Sequence, residues 1–291
     1  MGFNVPGFYL VGGEVIAVGY DVREPSVGEL REVVVFLDEL ASRFNHVLDR
    51  FATIVKWGVM APFIYVYKQM GTWVPWLFLY GYTMTGKSTL AEIVLRIWNL
   101  VPEVHDYKTI NWHWLGGGCV DSPAKMGYIL SRSTFPIVVE WPAGALAKGD
   151  VIDVVKRAVE GLVARRRCMG RRCIDELALA PLVFVGDRLP RDVDLLRRLI
   201  VLVFTRDEKI PREKAEEFDR TVKPRLKVLK TLGEFTAHHV MSEGLPEDPY
   251  ELPDVILKSL YKRVGLEIPK WIRAYTLKTR LRSPRAKLVV D

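Results

Sequence analysis

The stretch Gly81-Tyr82-Thr83-Met84-Thr85-Gly86-Lys87-Ser88 constrains this chain more than any other. It reads G-x-x-x-x-G-K-S, and its flanks matter as much as the motif. Before it runs Val74 to Tyr80 (VPWLFLY), apolar and aromatic enough for a buried strand. After it, Leu90, Ile93, Val94 and Ile97 recur at helical spacing, with no breaker as far as Leu100. Strand, glycine-rich loop and helix together make a phosphate cradle. The glycines let main-chain N–H groups curl around an anion, and the helix N-terminus adds the positive end of its dipole. In such a cradle Lys87 neutralises β- and γ-phosphate oxygens, and Ser88 offers its hydroxyl to Mg2+. The expected contacts of bound ATP run from Gly81 through Tyr82, Thr83, Met84, Thr85, Gly86, Lys87 and Ser88 to Thr89. The competing reading, a turn that binds nothing, is opposed by the strand and helix on either side.

In chain order, FYLVGGEVIAVGYDV gives two β-type runs around Gly12-Gly13, a dipeptide suited to a two-residue hairpin turn. From Pro25-Ser26 a long helical pattern follows, with Leu30, Val33, Val34, Leu37, Leu40, Phe44, Val47, Leu48 and Phe51 in phase as far as Val59. His46 within it reads as a surface or packing residue. Val101 to Val120 is rich in turn residues, and neither His105 nor His113 is spaced with other ligands. Asp121-Ser122-Pro123 caps a short helix to Leu130. Phe135 to Glu140 (FPIVVE) is a second apolar run, ending in an acid. Asp150 heads a helix to Val163. Ala180 to Asp187 (APLVFVGD) is a third apolar run with a polar tip. Asp192 caps a short helix, and Leu199 to Phe204 is a fourth run. After Pro211 the pattern is helical, broken at Pro246 and Pro249, and it ends in a basic tail from Thr276.

Composition narrows the class. At 291 residues, 49% apolar and 26% charged, the chain reads as a soluble globular protein with a sizeable core. No window holds 18 uncharged apolar residues; the nearest, Trp57 to Tyr67, is interrupted by Pro62. With no basic-then-apolar leader, a cytoplasmic protein without membrane contact is expected. Glutamine occurs once, at Gln69, a depletion of heat-labile amides that fits a protein working at high temperature. Three cysteines (Cys119, Cys168, Cys173) make no disulfide framework, and Cys168-x4-Cys173 lacks the second pair a zinc site needs. The net charge is +7 and its excess is clustered: Arg165, Arg166, Arg167, Arg171 and Arg172 flank a hairpin tip at Met169-Gly170. Such a cluster suits a nucleic-acid backbone; a solvated charged face is the plainer alternative.

Phosphate loop, acid-tipped strand, helix, basic hairpin, polar-tipped strand and paired arginines before a last strand form an order that resembles the AAA+ ATPases. More narrowly it looks like the superfamily 3 and archaeal virus or plasmid replicative helicases, relatives of the minichromosome maintenance helicases. The phrases WLFLYGYTMTGKSTL, STFPIVVEWP, LALAPLVFVGDRLPRDVDLLRRLIVLVF and EEFDRTVKPRLKVLKTLGEF carry the likeness. It implies an α/β fold, an AAA+ P-loop three-layer sandwich over 61–210. An N-terminal hairpin and helices would occupy 1–60, and a small helical C-terminal region 211–291.

The resemblance also implies roles. Ser88 and Glu140 would hold Mg2+, and Asp187 would stand at the polar sensor tip that is usually Asn. Arg198, with Arg197 as runner-up, would be the finger reaching a neighbour's γ-phosphate. Lys87, Glu140, Asp187, Arg198 and Arg197 are thus the expected catalytic set, in an ATPase and DNA helicase working as a homo-oligomer, a hexameric ring, on single- or double-stranded DNA. The basic arms would grip the nucleic-acid backbone by charge. The pattern departs from the family at Trp141, where a second carboxylate belongs. If the register slides by one, Glu140 is the base and Val139 replaces the metal acid. Either way one carboxylate is missing, so hydrolysis would be slow, or use an acid from elsewhere such as Asp121, Asp150 or Asp153. The alternatives are a degenerate AAA+ protein that binds ATP and nucleic acid for assembly or regulation, and a small-molecule kinase, whose arginine-bearing lid the basic hairpin does not match.

Overall fold

Each apolar run anticipated above is a strand, and a fifth joins them at the sheet edge. The computed structural model describes residues 4–101, 112–170 and 172–278, with only the main chain of Met169 and Arg172; His105, Arg171 and the tail beyond 278 lie outside these. The strands are β1 (Gly7–Val11), β2 (Glu14–Val18), β3 (Trp76–Gly81), β4 (Trp114–Gly116), β5 (Ile137–Glu140), β6 (Val163–Met169), β7 (Arg172–Leu177), β8 (Leu182–Gly186) and β9 (Leu199–Phe204). The helices before the sheet's last strand are α1 (Val27–Arg43), α2 (Leu48–Met60), α3 (Ile64–Gln69), α4 (Lys87–Ile97), α5 (Pro123–Leu130), α6 (Gly149–Glu160) and α7 (Val193–Leu196). After it come α8 (Arg212–Thr221), α9 (Lys230–Glu243), α10 (Leu252–Arg263) and α11 (Lys270–Ala274).

The central sheet is parallel, in the order β4-β5-β8-β3-β9. All its strands therefore point their carboxyl ends the same way. α4 carries the chain from β3 out towards β4, and α5, α6 and α7 bring it back. Right-handed crossovers put α4 on one face and the returning helices on the other, the three-layer arrangement expected. The acid-tipped strand does not adjoin the phosphate-loop strand: β8 stands between them. β4 went unseen because it is three residues long and runs into Gly116-Gly117-Gly118, which reads as a turn.

The long N-terminal helical pattern is two helices. Ser26 opens α1 with a capping box, its hydroxyl accepting from the Glu29 N–H, worth about 1 kcal/mol. At Phe44 the main chain leaves helical angles (φ −96°, ψ 21°), and Asn45–Val47 form a single tight turn before α2. From Phe51 to Met60 every residue of α2 is buried, because α4 and the C-terminal helices α10 and α11 enclose it. Its Lys56 ammonium is fully covered and held by Asp254 (2.5 Å) and the Ile272 carbonyl (2.7 Å). α9 comes closest to α4 at Gly233, where a Cβ would stand 2.0 Å from the Ile97 oxygen, so only glycine fits. The β1–β2 hairpin turns through Gly12 and Gly13, both with positive φ, and docks on α3. There the lone glutamine extends the ladder: Leu10 N–H donates to Gln69 Oε1 (2.9 Å), and Gln69 Nε2 donates to the Leu10 carbonyl (3.2 Å).

The basic arms form a separate antiparallel hairpin, β6–β7, packed on α5 and α6. Here the sequence expectation about cysteine is corrected: Cys168 and Cys173 face each other one pair below the two-residue tip and form a disulfide, Cα to Cα 4.0 Å. That pair is of the non-hydrogen-bonded type, which brings side chains closest in an antiparallel ladder. No helix among the described residues is long and apolar enough to cross a membrane.

Candidate functional site

At the carboxyl end of the sheet the phosphate loop closes over β3 and opens into a cleft of about 770 Å3. Gly81 has φ +136°, and a Cβ there would sit 1.9 Å from the Phe204 oxygen; the strand can turn into the loop beside β9 only as glycine. Met84 takes a left-handed conformation (φ 62°), and its carbonyl accepts from Ile210 N–H (2.8 Å), tying the loop to the segment after β9. Thr85 Oγ1 donates to the Tyr82 carbonyl (2.8 Å). Gly86, also left-handed, starts α4, so the first amides of that helix point into the cleft.

Lys87 is only 8% exposed. Its ammonium donates to the carbonyls of Gly81 (2.8 Å) and Tyr82. Burial pushes its pKa down, and the Asp187 carboxylate opposes that shift. Ser88 Oγ donates to Glu140 Oε1 at 3.0 Å, which joins the loop to the tip of β5 across the intervening strand. Hydroxyl and carboxylate together are a hard-oxygen donor pair of the kind Mg2+ takes when phosphates and water complete its shell. The residues present therefore fit the ion. Among the described residues no cluster of three or more His, Cys, Asp or Glu suits a metal held by protein alone.

Val139 is buried within β5, so Glu140 is the one carboxylate that strand presents to the cleft. Trp141 follows in a left-handed conformation (φ 54°, ψ 52°), 58% exposed and lining the same cleft. A non-glycine residue at such angles is strained, and such residues gather at functional sites. Asp187, at the tip of β8, also lines the cleft. The substitute acids do not: Asp121 is paired with Lys125 (2.7 Å), Asp150 accepts from Val151 N–H (2.9 Å) in the first turn of α6, and Asp153 is paired with Lys156 (3.1 Å). Asp150 and Asp153 both lie on α6, outside the lining of this cleft.

The far wall of the cleft was not legible as such. Ser42, Arg43, Phe44 and His46 enter it from the break between α1 and α2, and Ile210, Lys214, Glu217 and Phe218 enter from around α8. Phe44 stacks on Phe51 (5.7 Å, 11°) and meets Phe218 edge-on (5.8 Å). Arg43 and Glu217 bridge the two segments at 3.0 Å. Burial lowers the pKa of His46, against the field of Glu208. His46 is exposed, as the surface reading expects, and lines the cleft. The available signal was Asn45-His46, two polar residues interrupting an apolar helical phase.

The paired arginines occupy the other end of the sheet. Arg198 stands just before β9, its carbonyl accepting from Trp76 N–H (3.1 Å) at the start of β3. The six residues of β9 separate it from the loop of its own chain, about 20 Å at ordinary strand rise. Arg198 Nε lies 2.8 Å from Glu160 Oε1, and its Nη1 donates to the Asp194 carbonyl (2.7 Å). Arg197 is 62% exposed and pairs with Asp194 at 3.3 Å.

The hairpin cations are partly neutralised by acids that a count of arginines overlooks. Arg166 makes a two-pronged pair with Asp175 (2.6 and 3.0 Å), and Arg165 lies 3.8 Å from Glu176. Arg167 is exposed, with no ion pair among the described residues. At the hairpin base the buried Lys68 ammonium donates to the carbonyls of Ala158 (2.8 Å) and Ala178 (2.5 Å). Burial pushes its pKa down to about 7.

Neither a protein-family model nor a curated protein matches the chain. Among solved structures it is similar to the active helicase Cch of SCCmec type IV, with 14% identity and a TM-score of 0.52 over 88% of this chain and 50% of that one. It also aligns with the JCV helicase at 17% identity over 84% of this chain and 69% of that one. The TM-score there, 0.34, is too low to carry an argument. The first likeness, with the strand order above, gives the fold: a three-layer α/β domain with a phosphate loop on a five-stranded parallel sheet. The chain spans about half the length of Cch.

Proposed function

We propose that this chain is an ATP-driven motor acting on DNA, whose catalytic site is completed between protomers of a homo-oligomeric ring, most simply a hexamer. One observation carries the reading: triphosphate-binding groups gather at one end of the sheet, while Arg198 lies a strand-length away at the other. Within one chain the two ends cannot meet; between neighbours packed side by side they can. In that arrangement the loop amides and Lys87 hold the β- and γ-phosphates. Ser88 and Glu140 would hold Mg2+, which supplies charge neutralisation to the phosphates when bound. A water attacks the γ-phosphorus, the bond to the β–γ bridging oxygen breaks, and Arg198 or Arg197 of the neighbour takes up the charge that develops. Asp187 lines the cleft within the field of Lys87. With Glu140 bonded to Ser88, it is the strand-tip carboxylate left to orient water. The apolar far wall around Phe44 and Phe218 suits the adenine ring. Phosphates of DNA can replace Asp175 and Glu176 as partners of Arg166 and Arg165 on β6, and Arg167 beside them is exposed.

The single strand-tip acid on β5, followed by Trp141, favours a second reading, in which nucleotide drives assembly with little turnover. Complementation separates them. An equal mixture of Lys87→Ala and Arg198→Ala protein is expected to recover part of the ATP turnover that each lacks alone, because some interfaces pair an intact loop with an intact arginine. No recovery would refute completion between protomers, and wild-type turnover that DNA fails to stimulate would favour assembly.

A further inference from the structure

One exposed group belongs neither to the cleft nor to the basic arms. Trp112 precedes β4 at the amino end of the sheet, and Tyr128 lies opposite it on α5, their rings edge to face with centroids 6.3 Å apart. They are 43% and 48% exposed, large aromatic surfaces to leave in water. Arg132, one turn beyond Tyr128, lays its guanidinium over both rings, 4.5 Å from the Trp112 centroid and 5.1 Å from that of Tyr128, and donates to the Tyr128 hydroxyl. Unlike Arg166, Arg197 and Arg198, it has no carboxylate partner among the described residues. A guanidinium stacked by its face keeps edge N–H groups for an anion, in a geometry already fixed by the rings beneath it. The group also adjoins the basic hairpin: Glu176 and the Arg165 side chain press on Gly127, the residue before Tyr128, closely enough that a Cβ there would meet the Glu176 carboxylate at 2.1 Å.

We infer that Trp112, Tyr128 and Arg132 form a stacking site for single-stranded nucleic acid on the shoulder of the β6–β7 hairpin. An unpaired base packs on the open aromatic surface, and the phosphate beside it takes the edge of Arg132. Paired arginines grip any backbone, whereas exposed aromatic rings select strands whose bases are free to leave a stack. The site therefore supplies a preference for single strands that the hairpin's charge alone does not. This inference rests on the DNA-motor reading for its choice of partner.

The test is the binding of a fluorescein-labelled twelve-nucleotide oligothymidylate, and of a duplex of equal length, to the full chain across a salt series. The doubly substituted protein Trp112→Ala/Tyr128→Ala is expected to bind the single strand about tenfold more weakly, with its salt slope unchanged. Arg132→Gln is expected to lower that slope by about 0.7, the value for one phosphate contact on a single strand. Duplex affinity and ATP affinity stay as in the wild type, and Trp112→Phe/Tyr128→Phe, which keeps the platforms, restores single-strand affinity in a protein of the same fold. Unchanged single-strand binding by the alanine protein would overturn the inference, as would an equal loss of duplex binding. Wild-type protein that binds neither probe at about 50 mM salt would overturn the DNA reading itself, and this site with it.

Discussion

At the carboxyl end of the sheet Lys87 is nearly covered and its ammonium is held by carbonyls of its own loop; Arg197 and Arg198 at the amino end, and Arg166 on the hairpin, are each paired with a carboxylate, Arg166 and Arg197 exposed and Arg198 half-buried. A lysine bonded to main-chain dipoles at the wall of a cleft is set for a bound anion. Arginines paired with Asp and Glu at the surface are set to exchange partners, because exposed ion pairs are worth at most about 1 kcal/mol and a phosphate can replace the carboxylate. Lys68 shows that the local bond pattern does not by itself distinguish the two uses. It too donates to two carbonyls and is pushed down in pKa by burial, yet it lies under the hairpin with no cleft in front of it. What separates Lys87 from Lys68 is the open volume beside it and the Ser88–Glu140 pair facing that volume.

The contrast between the ends can be broken in four ways. The largest effect belongs to Arg198→Ala, expected to lower ATP turnover about 1,000-fold while leaving nucleotide affinity nearly unchanged. Calorimetric ATP titration beside a steady-state assay checks it, and an equal loss of affinity would place Arg198 in its own chain's site. Lys87→Ala comes next, with ATP affinity falling about 100-fold as charge-assisted bonds to phosphate are lost, and with oligonucleotide binding in the absence of nucleotide unchanged. Loss of both would mean the ends are not independent.

Arg166→Glu/Arg167→Glu is expected to weaken DNA binding about tenfold at 0.1 M salt and to flatten the salt dependence. An unaltered slope would return the hairpin to a solvated face. The smallest effect concerns Lys68. Its pKa is low in the folded protein and ordinary in the unfolded one, so between about pH 7 and pH 10 the unfolded chain binds the extra proton. Stability contributed at this site therefore rises with pH through that window and is lowest below it. The thermal midpoint is expected to climb by a few degrees from pH 7 to pH 9.5, and Lys68→Met should remove the climb. Above that window the buried tyrosines act in the opposite sense, since burial raises the pKa of Tyr9, Tyr20 and Tyr67 in the folded state and stability falls as they ionise in the unfolded chain.

The phosphate loop was legible because its strand, turn and helix are contiguous, so local spacing specifies their geometry. The same holds for the Ser122 cap and proline at the head of α5 and for the Asp192 cap of α7. The far wall of the cleft was not legible, since Phe44 and Phe218 are far apart in sequence and meet only through the packing of α1, α2 and α8. The disulfide was hidden for a different reason. Cys168 and Cys173 face each other only once the tip of β6 and β7 is fixed as a two-residue turn. The acids that neutralise Arg165 and Arg166 depend on that same register.

The sequence alone determined a glycine-rich strand–loop–helix turn on an α/β sheet, with a last strand whose start carries paired arginines, because backbone conformation over short spans follows from residue type. Tertiary structure decided that β8 separates β3 from β5, that Ser88 still reaches Glu140 across it, and that Arg198 sits at the opposite end of the sheet from the loop of its own chain. Strand order and the direction each tip faces depend on how the crossover helices pack on the two faces of the sheet. That packing is a property of the whole core rather than of any local segment.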